Sequence, residues 1–351
     1  MRQYIAFDSH KHYTVVEQED VASGQRQQYR IEHSPGAIRE YLVQCEPGTA
    51  VAIEATANWY WIVDEIEQAR LQPVLVHPRK AKLMMGMINK TDQLDVHGLN
   101  VLQRNGTLPV VWIPPGELRD LRELTRGRLA LGRDRTRLKN RIQAMLAKYG
   151  LTKTEYSDIF GKNARQELEA KIKTLPTHGQ FVTWKRLELL EHVICQVQDI
   201  EKRLIGLLTV TPEVKLLQTL PGIGLILASA AALEIGDVSR FITQEQLAAY
   251  SGTVPRVHAS GGKVRYGKLR PDVNHYLKWA FIEAGNSVAV NHKVWPEKFV
   301  SQRYRTVRQR KGHPVAVGAV ARHLAEAAWH VLKNKQPYRD PNWNRGQARE
   351  A

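Results

Sequence analysis

Cysteine is almost absent from this chain: Cys45 and Cys195 are the only two in 351 residues. Two cysteines build neither a disulfide framework nor a Cys/His zinc site, and both are expected to be small buried hydrophobes. Long apolar runs are also missing, since no stretch approaches the ~20 residues of a transmembrane helix. The chain opens directly on a strand-like run, with no signal-peptide pattern. No basic segment carries the Trp/Leu face of a membrane-surface helix. A cytoplasmic protein with no membrane partner is expected. Acid is the scarcer charge: 51 Lys and Arg stand against 35 Asp and Glu, giving +16 and a pI near 9.8. Such an excess points to a polyanionic partner, most simply nucleic acid.

Against that basic background, four acids occupy informative places. Asp8 ends the run Tyr4-Ile5-Ala6-Phe7-Asp8, and Glu54 ends Val51-Ala52-Ile53-Glu54. Asp92 and Asp95 follow in Lys90-Thr91-Asp92-Gln93-Leu94-Asp95. A carboxylate closing an apolar strand needs a partner or a cation. The i, i+3 spacing puts Asp92 and Asp95 on one helix face, although capping and helix-dipole roles fit them too. Carboxylate oxygens are the ligands Mg²⁺ prefers, and several converging from different elements can hold two such ions for phosphoryl transfer.

The pattern predicts α/β structure for residues 3–115. Strands are expected at 3–8, 12–18, 26–31, 51–54, 73–76 and 109–113, with helices at 34–44, 58–70 and 91–103. Strands in succession, then alternating with helices, predict a mixed sheet with a hairpin edge. Pro114-Pro115 closes the region. From 116 to 208 the chain reads as helical, with heptad-like apolar spacing on 187–208. Helices 117–149 and 181–208, joined by an irregular stretch, suggest an antiparallel hairpin or a contact with another subunit. A mainly helical third region spans 209–336, with helices at 273–290 and 315–333, and an irregular tail follows at 337–351.

Basic residues cluster three times. Residues 126–148 hold Arg126, Arg128, Arg133, Arg135, Arg137, Lys139, Arg141 and Lys148 against Asp134 alone. A solvated helix face normally mixes signs, so phosphate contact is expected there, above all through Arg133, Arg135, Arg137 and Arg141. The second cluster is the loop 256–270, with Arg256, Lys263, Arg265, Lys268 and Arg270 around Ser260-Gly261-Gly262. The third is Arg303, Arg305, Arg308, Arg310 and Lys311. The turn Leu220-Pro221-Gly222-Ile223-Gly224 resembles a helix-hairpin-helix turn, where Gly222 and Gly224 would let backbone amides approach phosphate. A tight interhelical turn without a ligand fits equally. Composition alone favours an ordinary hairpin turn at Ser260 over a nucleophile.

Taken in order, these motifs resemble the DEDD transposases of bacterial insertion sequences, of the insertion-sequence-110 type. Phe7-Asp8, Ile53-Glu54-Ala55-Thr56 and Lys90-Thr91-Asp92-Gln93-Leu94-Asp95 carry the resemblance in the first half. Leu220-Pro221-Gly222-Ile223-Gly224, Leu247-Ala248-Ala249-Tyr250-Ser251-Gly252-Thr253-Val254-Pro255 and Ser260-Gly261 carry it in the second. The resemblance implies a RuvC-like, RNase H-type N-terminal domain with Asp8, Glu54, Asp92 and Asp95 binding Mg²⁺. It further implies a coiled-coil middle and a C-terminal transposase domain whose catalytic serine maps onto Ser260, with Ser251 ranked well below. Ala259 stands where many relatives carry another serine. Members are recombinases guided by a noncoding bridge RNA that pairs with target and donor DNA, and they act as tetramers.

The expectation is therefore an RNA-guided DNA recombinase that cuts through a phosphoserine link. Two alternatives remain at the level of sequence. One is a Holliday-junction-type endonuclease that uses the acidic tetrad with water. The other is a non-enzymatic nucleic-acid-binding scaffold.

Overall fold

The computed structural model describes residues 3–86, 91–208, 211–270 and 272–341. The chain divides into two compact units, Met1–Pro114 and Pro115–Ala351.

The first unit is a five-stranded mixed sheet flanked by helices. Its strands are β1 (Gln3–Ser9), β2 (Tyr13–Asp20), β3 (Arg26–Glu32), β4 (Ala50–Glu54) and β5 (Gln72–Val76). Their spatial order is β3-β2-β1-β4-β5. The first three run antiparallel, and β4 and β5 extend the sheet parallel to β1. The helices are α1 (Ala37–Leu42), α2 (Trp59–Gln68), α3 (Pro78–Met85) and α4 (Asp92–Arg104).

Strand alternation sorts the side chains into two layers. Ile5, Phe7, Val51, Ile53 and Leu75 pack with α1 and α2 through Ile38, Leu42, Ile62, Val63 and Ile66. Ala6, Val15, Ala52 and Val76 pack with α4 through Val96, Leu99 and Leu102. Small alanines at 6 and 52 let α4 lie close on the middle of the sheet.

Three expectations change here. Residues 109–113 form a single antiparallel bridge, Val76 to Val110, rather than a strand. Pro109, Pro114 and Pro115 remove ladder donors around it. The 34–44 helix shrinks to α1, and α3 is an addition that begins with Pro78 in its first turn. Lys90 of the sequence motif lies outside the described residues.

The second unit is mostly helical. It contains α5 (Gly116–Lys148), α6 (Arg165–Lys173), α7 (Thr177–Leu208), α8 (Pro212–Leu217), α9 (Leu225–Ile235) and α10 (Gln244–Tyr250). A hairpin of β6 (Pro255–Ser260) and β7 (Lys263–Leu269) follows, then α11 (His275–Asn291), α12 (Phe299–Lys311) and α13 (His313–Asn334). The helices α5 and α7 pair antiparallel: the Gly127 position faces Ile200, while Gly179 faces Met145. Leu138, Ile142 and Leu146 of α5 bury against Leu187, Leu190 and Val193 of α7.

The apolar seam on α7 is thus closed within the chain. It leaves a second subunit less to cover than its periodicity suggests. Leu118, Leu121 and Leu124 of α5, with Leu204 and Leu208 of α7, join the core built by α8, α9, α11, α12 and α13. The helical middle and the C-terminal helices therefore share one core. Cys45 is buried as expected, but Cys195 is exposed on α7, on the side away from the seam. Of the tail at 337–351, residues 342–351 lie outside the described residues. Tyr338 before them is tied down, its amide donating to Thr219 Oγ1 at 2.8 Å.

Candidate functional site

Strand register and helix phase carry the four acids to one side of the sheet, and of them Asp8 and Asp92 cluster, together with His10, within 4.8 Å. In the parallel pair β1/β4, Phe7 faces Ile53, so Asp8 and Glu54 come one residue on, at adjacent strand ends. Alternation gives both the α4 side of the sheet, following Ala6 and Ala52. On α4, Asp92 and Asp95 continue the inner stripe of Val96, Leu99 and Leu102. Thr91 caps this helix, its Oγ1 accepting from the Leu94 amide at 3.2 Å. Neither aspartate is needed as the cap.

Two further contacts hold α4 in place. Glu17, buried on β2, accepts from Asn100 Nδ2 at 3.0 Å and Gln28 Nε2 at 2.7 Å, and lies 2.9 Å from His97 Nδ1. Glu19 accepts from Arg104 at 2.9 Å and Arg26 at 3.2 Å. These buried carboxylates are saturated with donors, as buried charges must be.

Asp8 is different. It is 6% exposed, and its Oδ2 is buried with no hydrogen-bond partner among the described residues. His10 Nε2 lies 3.2 Å from Asp8 Oδ2 and 3.3 Å from Asp92 Oδ2. Donor atoms of Asp8, His10 and Asp92 all fall within 4.8 Å of one another. Burial pushes the Asp8 carboxyl above its ordinary range; His10 opposes this, while Asp95 and Asp92 add to it. A buried oxygen without a donor, facing other carboxylates, is the environment a hard cation would relieve, so the residues present fit a divalent ion.

Sequence reasoning missed the groups around this cluster. His10 is one, although its place two residues after Asp8 was a signal. Tyr13 is another: its hydroxyl donates to Asp92 Oδ2 at 2.8 Å, and its ring stacks on His10 at 4.7 Å between centroids. Asn58 donates to Ser9 Oγ at 2.9 Å and to the His10 carbonyl at 2.7 Å, pinning the loop after Glu54 to the end of β1.

Ser260 belongs to the second unit. Residues 256–270, expected as a loop, form the β6–β7 hairpin plus Arg270, with Ser260 paired to Lys263 across a two-residue turn. Gly261 and Gly262 both have positive φ, +55° and +74°, as a type I′ turn requires. Alternation places Val257, Ala259, Val264 and Tyr266 on one face and His258, Ser260, Lys263 and Arg265 on the other. The hairpin is exposed along nearly its whole length. Arg256, Lys268 and Arg270 flank this core of the ribbon.

Ser251, by contrast, is fully buried in the turn after α10. Its Oγ donates to the Ala248 carbonyl at 2.9 Å and lies 3.1 Å from Thr253 Oγ1. It is a turn residue with its hydrogen bonds already made.

The basic clusters divide on inspection. Arg126 and Arg128 are half-buried and paired with Glu234 and Glu201. Arg137 pairs with Asp134, and Lys139 with Asp158. Arg133 and Arg141 are exposed and Arg135 is half-buried. Gly222 sits at φ +78° with the Ala284 carbonyl 2.5 Å from where a Cβ would stand. Close packing on α11 is sufficient to require glycine there. Gly224 is the N-cap of α9 and faces open space.

Comparison with known proteins places these elements. Residues 7–150 match the DEDD transposase profile of the IS110 group, and residues 214–301 match the profile described as the transposase IS116/IS110/IS902 family. Together they cover well over half of the chain. The chain is similar to a "Probable family 20 transposase" of Pseudomonas aeruginosa, 26% identical over 86% of this chain and 89% of that protein. It is also similar to the transposase for insertion sequence element IS1111A of Coxiella burnetii, 26% identical over 72% of this chain and 69% of the relative. The transposase for insertion sequence element IS1328 of Yersinia enterocolitica is 26% identical over 64% of this chain. With both halves matched in order, the chain belongs to the IS110 family of transposases.

Proposed function

We propose that this transposase is an RNA-guided DNA recombinase that cuts and rejoins strands through Ser260. The observation that carries the reading is the convergence of Asp8, His10 and Asp92 around a buried carboxylate oxygen that has no hydrogen-bond partner among the described residues. Asp8, Glu54, Asp92 and Asp95 would hold Mg²⁺. Bound there, the ion would neutralise charge developing on the scissile phosphate. The strand order β3-β2-β1-β4-β5 supports a RuvC-like, RNase H-type domain.

Ser260 Oγ would attack the phosphorus and release its proton to solvent. The bond to the 3′ oxygen breaks, and that oxygen takes up a proton to become a free 3′-hydroxyl. The phosphoserine link keeps a phosphodiester, so a second strand's 3′-hydroxyl can displace the serine and rejoin the DNA. Lys263 and Arg265 share the serine's face, where they would meet phosphate oxygens. Arg133, Arg135 and Arg141, with Arg256, Lys268 and Arg270, would grip RNA and DNA backbones. Gly224 would present the α9 N-terminus to phosphate. The bridge RNA and a tetrameric assembly rest on the family resemblance, since α5 closes the α7 seam within the chain.

Sequencing RNA that co-purifies with the protein would identify the guide and, through it, the DNA. End-labelled DNA of that sequence, mixed with protein and denatured, should then give a protease-sensitive shifted band. The band should vanish in Ser260→Ala and persist in Ser251→Ala. Cleavage without any adduct would instead favour a water-using, Holliday-junction-type nuclease. RNA and DNA binding without cleavage would leave only a scaffold.

A further inference from the structure

We infer that His10 is a ligand of the divalent-cation site, and that its nitrogen makes the site favour Mn²⁺ over Mg²⁺. This rests on the proposed assignment of Asp8 and Asp92 as cation ligands. The geometry is that of neighbouring donors around one ion. Cation–ligand bonds of about 2.1 Å at right angles put two donors about 3 Å apart. His10 Nε2 stands 3.2 Å from Asp8 Oδ2 and 3.3 Å from Asp92 Oδ2.

An imidazolium bridging two carboxylates would give similar distances but would aim N–H at an oxygen. Here His10 Nε2 and Asp8 Oδ2 are both buried and, though 3.2 Å apart, neither has a hydrogen bond of acceptable geometry among the described residues. The surroundings also match those of a ligand histidine, whose ring is normally held in orientation by its neighbours. Tyr13 packs its ring, tilted by 39°, against that of His10 and donates to the Asp92 oxygen that the histidine approaches. The Arg30 guanidinium lies over that tyrosine, 3.7 Å from the ring centre. The Asn58 bond to the His10 carbonyl fixes the backbone.

The donor set then decides the metal. Carboxylates alone suit Mg²⁺, which binds nitrogen reluctantly. An imidazole among them suits the transition ions, and of the two ions compared Mn²⁺ is the one that takes nitrogen while still accepting a mainly carboxylate site. One residue thus sets the preference between two ions.

The test uses the purified full-length protein and the metals alone. Mn²⁺ binding is followed by the electron paramagnetic resonance of free Mn²⁺, and Mg²⁺ binding by competition. Wild type should bind Mn²⁺ more tightly, with the ¹⁴N electron spin echo modulation of a coordinated imidazole. His10→Ala should lose that modulation and about tenfold or more in Mn²⁺ affinity, while Mg²⁺ affinity barely moves. Thermal melting of His10→Ala like wild type would show the variant folded. His10→Gln, which offers oxygen instead, serves if alanine does not fold. Asp8→Asn should weaken both ions. Mn²⁺ binding that depends on Asp8 but shows no ¹⁴N modulation would overturn the role of His10 and leave the cation site standing. Binding indifferent to Asp8 and His10 alike would bring down both.

Discussion

Glu234 and Arg126 form a two-pronged ion pair, Nε to Oε1 at 2.8 Å and Nη2 to Oε2 at 3.2 Å, around a carboxylate with no solvent exposure. Asn274 donates to the same carboxylate at 2.7 Å, and Arg122 holds the Leu233 and Glu234 carbonyls. One acid thereby joins α5, α9 and the start of α11. Removing one partner of a buried pair strands the other charge, at a cost of about 3–5 kcal/mol. Glu234→Ala should lose stability on that scale in denaturant unfolding. Glu123→Ala, which removes an exposed partner of Arg126, should be nearly neutral.

Asp8→Asn should raise the melting temperature of the metal-free protein at neutral pH. Burial lifts the folded-state pKa of Asp8 above its unfolded value. The native state therefore binds the proton more tightly, and stability falls as pH rises from the ordinary carboxylate range through the raised value. Asparagine removes that penalty. The advantage should disappear at pH below the ordinary carboxylate range, where both states are protonated. Adding Mg²⁺ or Mn²⁺ should stabilise wild type and not the variant; calorimetry across pH, with and without chelator, reads both effects.

The two glycines of the 220–224 turn should separate cleanly. Gly222→Ala meets a backbone carbonyl at 2.5 Å and a left-handed φ. A loss of about 2 kcal/mol or more is expected. Gly224→Ala has φ −86° and open space, so about 1 kcal/mol at most should be lost. If Gly224 approaches phosphate, its variant should weaken DNA binding while melting normally.

Replacing Arg133, Arg135 and Arg141 with alanine should flatten the salt dependence of nucleic-acid binding. Each lost phosphate contact lowers the slope of log affinity against log salt by about 0.9 on duplex DNA. Arg137→Ala should do less, because Asp134 already neutralises it. Arg128→Ala should act through stability, since Arg128 donates to Glu201 at 2.7 and 2.9 Å. An unchanged slope in the triple variant would make this a solvated helix face.

Much of the first unit was legible in sequence because its strands are short apolar runs ending in acids. Asp8, Glu54, Asp92 and Asp95 follow from that pattern and from helix phase. His10, Tyr13 and Asn58 did not, because loop residues and the first residue of a strand have no periodicity to announce them. Arg126 and Arg128 look like their basic neighbours in sequence, and only tertiary packing brings Glu234 and Glu201 to them. The 109–113 run had strand composition, but its prolines limited it to one bridge. The hairpin at 255–269 read as loop because the β-branched residues of its apolar face are diluted by glycine and charge.

That hairpin makes the orientation of Ser260 a question of parity. Odd and even positions of β6 look out on different worlds, one apolar with Tyr266 and one cationic with Lys263 and Arg265. Moving the hydroxyl by one residue, to 259, would turn it to the wrong side without changing its distance along the chain by more than ~3.4 Å. Moving it by two would keep the side and lose the tip. The Gly261-Gly262 turn acts as the phase marker, because a loop one residue longer or shorter would shift the pairing by one and exchange the faces of one strand against the other.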